Sequence, residues 1–210
     1  MKHTILIIFL LLLQVTIYGQ TKEDNASFTV GEFRAGYGNS ILGNGLKEKF
    51  EAGNFSSSGG WLASIAAYHK FKKINYVAFG IKFKSLGAEA SRNEIGQEMF
   101  FNYWGAAASV KYFPFDKNAR KGLYLQGEYF FITQFTQKYR NKTTNQYDHQ
   151  FGIGSGIVLG TGYDFPIRNR KSMITVGLEY QFDNRTGEVQ GVGKKTFESV
   201  NYGALIGVKF

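Results

Sequence analysis

The chain contains no cysteine, only two prolines, and few charges for its length, with Asp, Glu, Lys and Arg making up 20% of 210 residues. The missing cysteine excludes a disulfide framework, a thiolate metal site, a covalent haem link and a lipid-modified N-terminal cysteine. A mean hydropathy of −0.23 argues against a bundle of membrane helices. With 43% apolar residues the chain is also not of the disordered kind. What it has in quantity is glycine (26), aromatic side chains (17%) and positive charge (net +9). The length suits one domain or one closed barrel.

Lys2 is followed by an apolar run from Ile5 to Leu13, and Gln14 to Gln20 then turns polar around the small Gly19. This basic, apolar, then polar order predicts a secretory leader over residues 1–19, cleaved after Gly19. Ile17 is a poor residue three positions before that cut. The apolar core is too short for a membrane anchor, which needs roughly 20 residues. The expected mature domain is residues 20–210, and no later segment is apolar enough, for long enough, to be a membrane helix.

From Phe28 to Phe210 the sequence alternates in twos, over eight stretches. In the third, Val77, Phe79, Ile81 and Phe83 alternate with Ala78, Gly80, Lys82 and Lys84. In the fifth, Leu123, Leu125, Tyr129 and Phe131 alternate with Tyr124, Gln126, Glu128 and Phe130. The seventh sets Ile174, Val176, Leu178, Tyr180 and Phe182 against Thr175, Gly177, Glu179 and Gln181. The eighth sets Tyr202, Ala204, Ile206, Val208 and Phe210 against Asn201, Gly203, Leu205, Gly207 and Lys209. The first, second, fourth and sixth stretches (Phe28–Tyr37, Trp61–Phe71, Phe100–Tyr112, Phe151–Phe165) are less regular; in the fourth, Asn102, Ser109 and Lys111 are expected opposite Trp104, Ala108 and Val110. Successive strand side chains point to opposite faces, so each stretch has one apolar face and one polar or small face.

The segments between them alternate too. Those near Lys72–Asn75, Asp116–Gly122 and Ile167–Ser172 are short and basic, whereas Gly38–Gly60, Ser85–Glu98, Thr133–Gln150 and Asp183–Glu198 are long and polar. An up-and-down barrel with long external loops on one rim and short periplasmic turns on the other has this layout. The apolar faces keep their character over the roughly 9 to 11 residues that cross a bilayer at a tilt. Aromatics gather at stretch ends: Tyr112, Phe113, Phe115, Tyr163, Phe165 and Phe210 at one rim, and Trp61, Trp104, Tyr129, Phe131, Tyr180 and Tyr202 at the other. Such girdles mark the two membrane interfaces. The opposite face carries Glu32, Arg34, Lys82, Lys84, Lys111, Glu128 and Glu179, charges that a dry soluble core would not accept unpaired. The expectation is therefore an all-β fold, an eight-stranded antiparallel transmembrane barrel with apolar exterior and charged lumen.

The leader, the segment Val110-Lys111-Tyr112-Phe113-Pro114-Phe115 entering a basic turn, and a last strand Tyr202–Phe210 ending in phenylalanine carry a resemblance. Across the whole mature chain the sequence resembles the small outer-membrane β-barrel proteins of the OmpX and OmpA-anchor kind. The resemblance implies a bacterial outer-membrane location and barrel-insertion machinery as a partner. It also implies that Tyr202, Ile206, Val208 and Phe210 form the C-terminal signal read by that machinery. It says little about activity, because this fold hosts many functions.

Eight strands leave an interior just wide enough for side chains to fill, so the seven lumen charges are expected to pair into a plug. The alternatives are a narrow pore for ions or small solutes and a lipid A-modifying enzyme. The deacylase pattern needs a histidine with a serine two positions on. His69 is followed by Lys70-Phe71 and His149 by Gln150-Phe151, so no catalytic residue is assigned. No cofactor, metal or nucleic acid is expected. The glycines at 152, 154, 156, 160 and 162 share one strand face and make room for bulky lumen partners rather than cradling a nucleotide. Basic residues at the far rim, Lys47, Lys49, Arg92, Lys138, Arg140, Lys142, Arg185, Lys194 and Lys195, would suit anionic lipopolysaccharide head groups. The sequence thus predicts a monomer with a structural or surface-interaction role.

Overall fold

A computed structural model describes residues 27–42, 56–92, 97–141, 146–167, 172–189 and 193–210. The expected leader lies outside these residues. The eight strands are β1 (Phe28–Leu42), β2 (Ser56–Lys70), β3 (Val77–Arg92), β4 (Gln97–Tyr112), β5 (Gly122–Asn141), β6 (Gln146–Pro166), β7 (Met173–Val189) and β8 (Gly193–Lys209). Each pairs antiparallel with the next, and β8 returns to β1 to close the barrel. The closing register runs from Glu32↔Lys209 to Leu42↔Ser199. Reciprocal backbone bonds between Gly31 and Phe210, 2.8 and 2.9 Å, finish the seam. Closure pairs the wall's N–H and C=O groups, which an open edge in hydrocarbon would leave unpaired at several kcal/mol each.

The strands run 15 to 21 residues, well beyond the roughly 9 to 11 that cross a bilayer. The excess lies at the far end, away from the short turns. Much of what reads as long loop is ladder: Thr136–Asn141 pairs with Gln146–Phe151, and Asp183–Val189 with Gly193–Ser199. The long connections do sit on one side and the short turns on the other, and the strand pairs simply carry them further from the membrane.

Alternation holds along most of the wall. The ladder slips between Ser57 and Gly60 of β2, and again where β5 has one residue more than its neighbours between Phe130 and Thr133. A β-bulge of this kind inverts the alternation beyond it, so Phe130 and Thr133 both point inward and are fully buried. In β4, Asn102 shares the outward face with Trp104 and the lumen position beside it belongs to Tyr103, correcting the sequence assignment of Asn102.

The turn after β4 bends into the barrel mouth. Phe113, expected in the aromatic girdle, is buried with Tyr68, Ala66, Ala78, Ala119 and Tyr124 and forms a plug at the turn end. The plug is stitched by backbone bonds from Phe113 N to Tyr76 O (2.7 Å) and from Tyr76 N to Lys117 O (3.1 Å). Asp116 accepts from the backbone N–H groups of Asn118, Arg120 and Lys121 at 2.8 to 3.1 Å, which holds the turn in its tight shape.

Candidate functional site: a charge-filled lumen

The seven charged residues singled out from alternation all lie inside the barrel, each no more than 4% exposed. They come from β1 (Glu32, Arg34), β3 (Lys82, Lys84), β4 (Lys111), β5 (Glu128) and β7 (Glu179), and strand pairing sets their heights. Arg34 bridges two acids, with Nε 2.9 Å from Glu32 and Nη2 2.7 Å from Glu179. Glu179 in turn accepts from Lys82 at 2.5 Å and Lys84 at 2.9 Å, so three cations converge on one carboxylate. Lys82 also binds Glu128 at 2.9 Å, and Lys111 binds Glu32. Ser109 donates to Glu128 at 3.3 Å and lies 3.0 Å from the Tyr68 hydroxyl, while Gln126 also donates to Glu128. Lys111 sits over the rings of Tyr68 and Tyr124, at 4.7 and 4.2 Å. Each of the seven charges meets at least one opposite charge, which offsets the cost of taking it out of water.

Two smaller clusters flank this one. Towards the turn end, Lys209 donates to Asp164 at 2.8 Å and to the Arg120 carbonyl at 2.6 Å, tying β8 and β6 to the plug. Towards the far end, Arg185 pairs with Asp183 at 2.8 Å and donates to Thr133 and Ser199 at 3.0 and 2.9 Å. Asn201 and Gln181 donate to Asp183 at 2.7 and 2.9 Å. The sequence reading placed Asp183 and Arg185 in an outer loop; both are lumen residues of β7, Arg185 being wholly buried. Their signal was present, since Glu179, Gln181, Asp183 and Arg185 continue one alternating face. Asn184 and Thr186 on the outward face are polar, however, and hide the period.

Glycine makes the filling possible. A Cβ on Gly162 would collide with the Tyr124 hydroxyl, and one on Gly177 would stand 2.7 Å from it, so Tyr124 reaches over β6 to β7 only because both positions are bare.

The outer wall is the reverse of the lumen. Phe33, Ile81, Phe83, Leu125, Ile157, Leu159, Leu178 and Ile206 are 43 to 61% exposed and form an apolar belt. Trp61, Trp104, Tyr129, Phe131, Tyr180 and Tyr202 edge it on the far side, and Tyr112, Phe115, Tyr163, Phe165 and Phe210 on the turn side. A closed barrel with ions within and such a belt without belongs in a bilayer.

No protein-family model matches the chain, and no curated protein matches it. Among solved structures, it is similar to Ail, the attachment invasion locus protein of Yersinia pestis, in complex with the heparin analogue sucrose octasulfate. The TM-score is 0.53 at 9% identity, over 87% of this chain and 99% of that one. It is similar also to neisserial surface protein A (TM-score 0.51, 14% identity, 88% of this chain, 99% of that one). A major outer membrane protein from Thermus thermophilus gives 0.52 at 12% identity, over 86% and 99%. This is the fold of the small outer-membrane barrels.

In the outer-membrane barrel seen here, Tyr202, Ile206, Val208 and Phe210 all lie on the outward face of the closing strand and its end. His69 points outward near the turn end, its Nδ1 2.9 Å from Thr29 Oγ1 and its ring against Phe71. Among the described residues, no serine or acid faces it in the way acyl transfer needs. The side chain of His149 lies outside those described. Of the far-rim basic residues, Lys194 is exposed, Arg185 is turned inward, and Lys47, Lys49 and Lys142 lie outside the described residues. Sequence reading misses Asp164, Asp183, Arg185 and Tyr103 as lumen residues, and places Lys209 on the inward face of the eighth stretch without a partner.

Proposed function

We propose that this chain is a structural and surface-interaction protein of the bacterial outer membrane, with a lumen that carries no current and a far end that meets partners outside the cell. The observation behind this reading is the convergence of Arg34, Lys82 and Lys84 on Glu179 across the full width of the barrel. An ion crossing the lumen would have to break these contacts, and separating a buried pair costs about 3–5 kcal/mol. Below them Phe113 and Tyr124 close the turn end. The chain acts as a monomer, since its ladder closes on itself. In biogenesis the insertion machinery reads Tyr202, Ile206, Val208 and Phe210, and a leader over residues 1–19 exports the chain. The basic residues of the far rim, Lys194 among them, meet anionic lipopolysaccharide head groups.

The test is conductance in planar bilayers. The refolded barrel should leave the membrane current at baseline across the physiological voltage range. Stepwise single-channel openings would replace this reading with the narrow pore. Unchanged lipid A mass on overexpression is the matching expectation against an enzyme.

A further inference from the structure

The outer wall is not evenly convex. A groove of about 750 Å³ crosses β6, β7, β8 and β1 towards the far edge of the belt. Strand register explains its shape. One outward row reads Leu159, Tyr180, Tyr202 and Asn39 across the four strands; the next row towards the turn end reads Thr161, Leu178, Ala204 and Tyr37. Ala204 and Thr161 are the small members among large neighbours, so the floor sinks at Ala204 between Leu178 and Tyr37. Tyr180 and Tyr202 stand side by side above it, with ring centroids 6.5 Å apart. The outward side chains lining the groove carry no charge.

We propose that this groove holds an acyl chain of an outer-leaflet lipid, with the lipid's polar end at Tyr180, Tyr202 and Asn39. The groove is continuous with the lipid-facing belt, so the medium it opens on is hydrocarbon. Its volume falls in the range of small-molecule sites, which are mostly apolar with a few polar groups at one end. Those polar groups lie on the far-side row, in the aromatic girdle where lipid esters and head groups begin. A chain lying over Ala204 meets side chains on both flanks, Leu178 and Tyr37. The site stands whether or not the lumen conducts.

The experiment reconstitutes the full barrel in phosphatidylethanolamine vesicles carrying a trace of phospholipid with a photoactivatable diazirine in one acyl chain, and maps the labelled residues by mass spectrometry. Labelling should concentrate on Tyr37, Leu159, Leu178 and Ala204, several-fold above Ile81 and Phe83 on the opposite wall, in β3. Ala204→Trp, which fills the floor, should abolish the excess and leave the opposite wall unchanged. Heat-modifiable gel mobility reports whether the variant is folded, and Ala204→Leu serves if the tryptophan is not tolerated. Label spread evenly around the belt, or an excess that survives both substitutions, overturns the proposal. So does chemical crosslinking between copies that is lost in Ala204→Trp, which would mean that a second barrel occupies the groove.

Discussion

At the scale of single residues, neighbours on one strand face opposite solvents. Ile81 is 58% exposed on the lipid face, while Lys82 beside it is fully buried and joins Glu128 to Glu179. Ile81→Lys puts a charge in hydrocarbon at about 2–4 kcal/mol near the midplane. It should lower the yield of barrel inserted into vesicles, read as the heat-modifiable band on a gel. Lys82→Gln should disturb insertion less, but glutamine takes the ammonium away from Glu128 and one of three cations away from Glu179. That variant should insert but unfold at a lower urea midpoint, by about 3–5 kcal/mol of stability. Equal insertion of both variants, with equal midpoints, would contradict the assignment of faces.

At the scale of elements, the inturned β4–β5 connection makes a closed end out of an open cylinder. Phe113 lies at its centre, 5.8 Å from the Tyr124 ring and beneath the Lys209 ammonium at 4.9 Å. Phe113→Ala should cost about 3–5 kcal/mol through the cavity it leaves, seen as a lower temperature for the folded-to-unfolded gel shift. Asp116 sets the shape of this turn. Partial burial raises its pKa, but the three backbone N–H groups it accepts from, with Lys121 nearby, outweigh that and hold it below the ordinary 3.8. A depressed carboxylate stabilises the folded state above the unfolded pKa, and that contribution is lost as pH falls through the folded value. Wild-type stability should therefore drop below about pH 4, and Asp116→Asn should flatten that part of the pH profile. An identical profile in both proteins would remove Asp116 from the account. Phe113 also marks what the sequence conceals. It extends an aromatic run from Tyr112 and reads as girdle, and only the backbone's inward bend after Tyr112 makes it core.

At the scale of the molecule, the architecture was legible wherever the two faces differ in polarity. Ile81 against Lys82 and Leu178 against Glu179 announce a strand with lipid on one side and ions on the other. Beyond the belt the sequence is polar at odd and even positions alike, so Asp183–Val189 and Thr136–Asn141 read as loop although they are paired. The members of the charge cluster were readable one by one. Their partners were not, because contacts such as Arg34–Glu179 and Lys111–Glu32 join residues 145 and 79 positions apart, through a register that alternation alone does not set.

The central claim is that hydrocarbon lies outside this wall and the ion pairs within, and the absence of native cysteine makes a direct test simple. Single cysteines at each position from 174 to 182 of β7, spin-labelled in vesicles, would be measured for collision with oxygen, which concentrates in lipid. The structure predicts high collision rates at 174, 178, 180 and 182 and low rates at 175, 177, 179 and 181. Rates that are uniform along the strand, or highest at the odd positions, would contradict it.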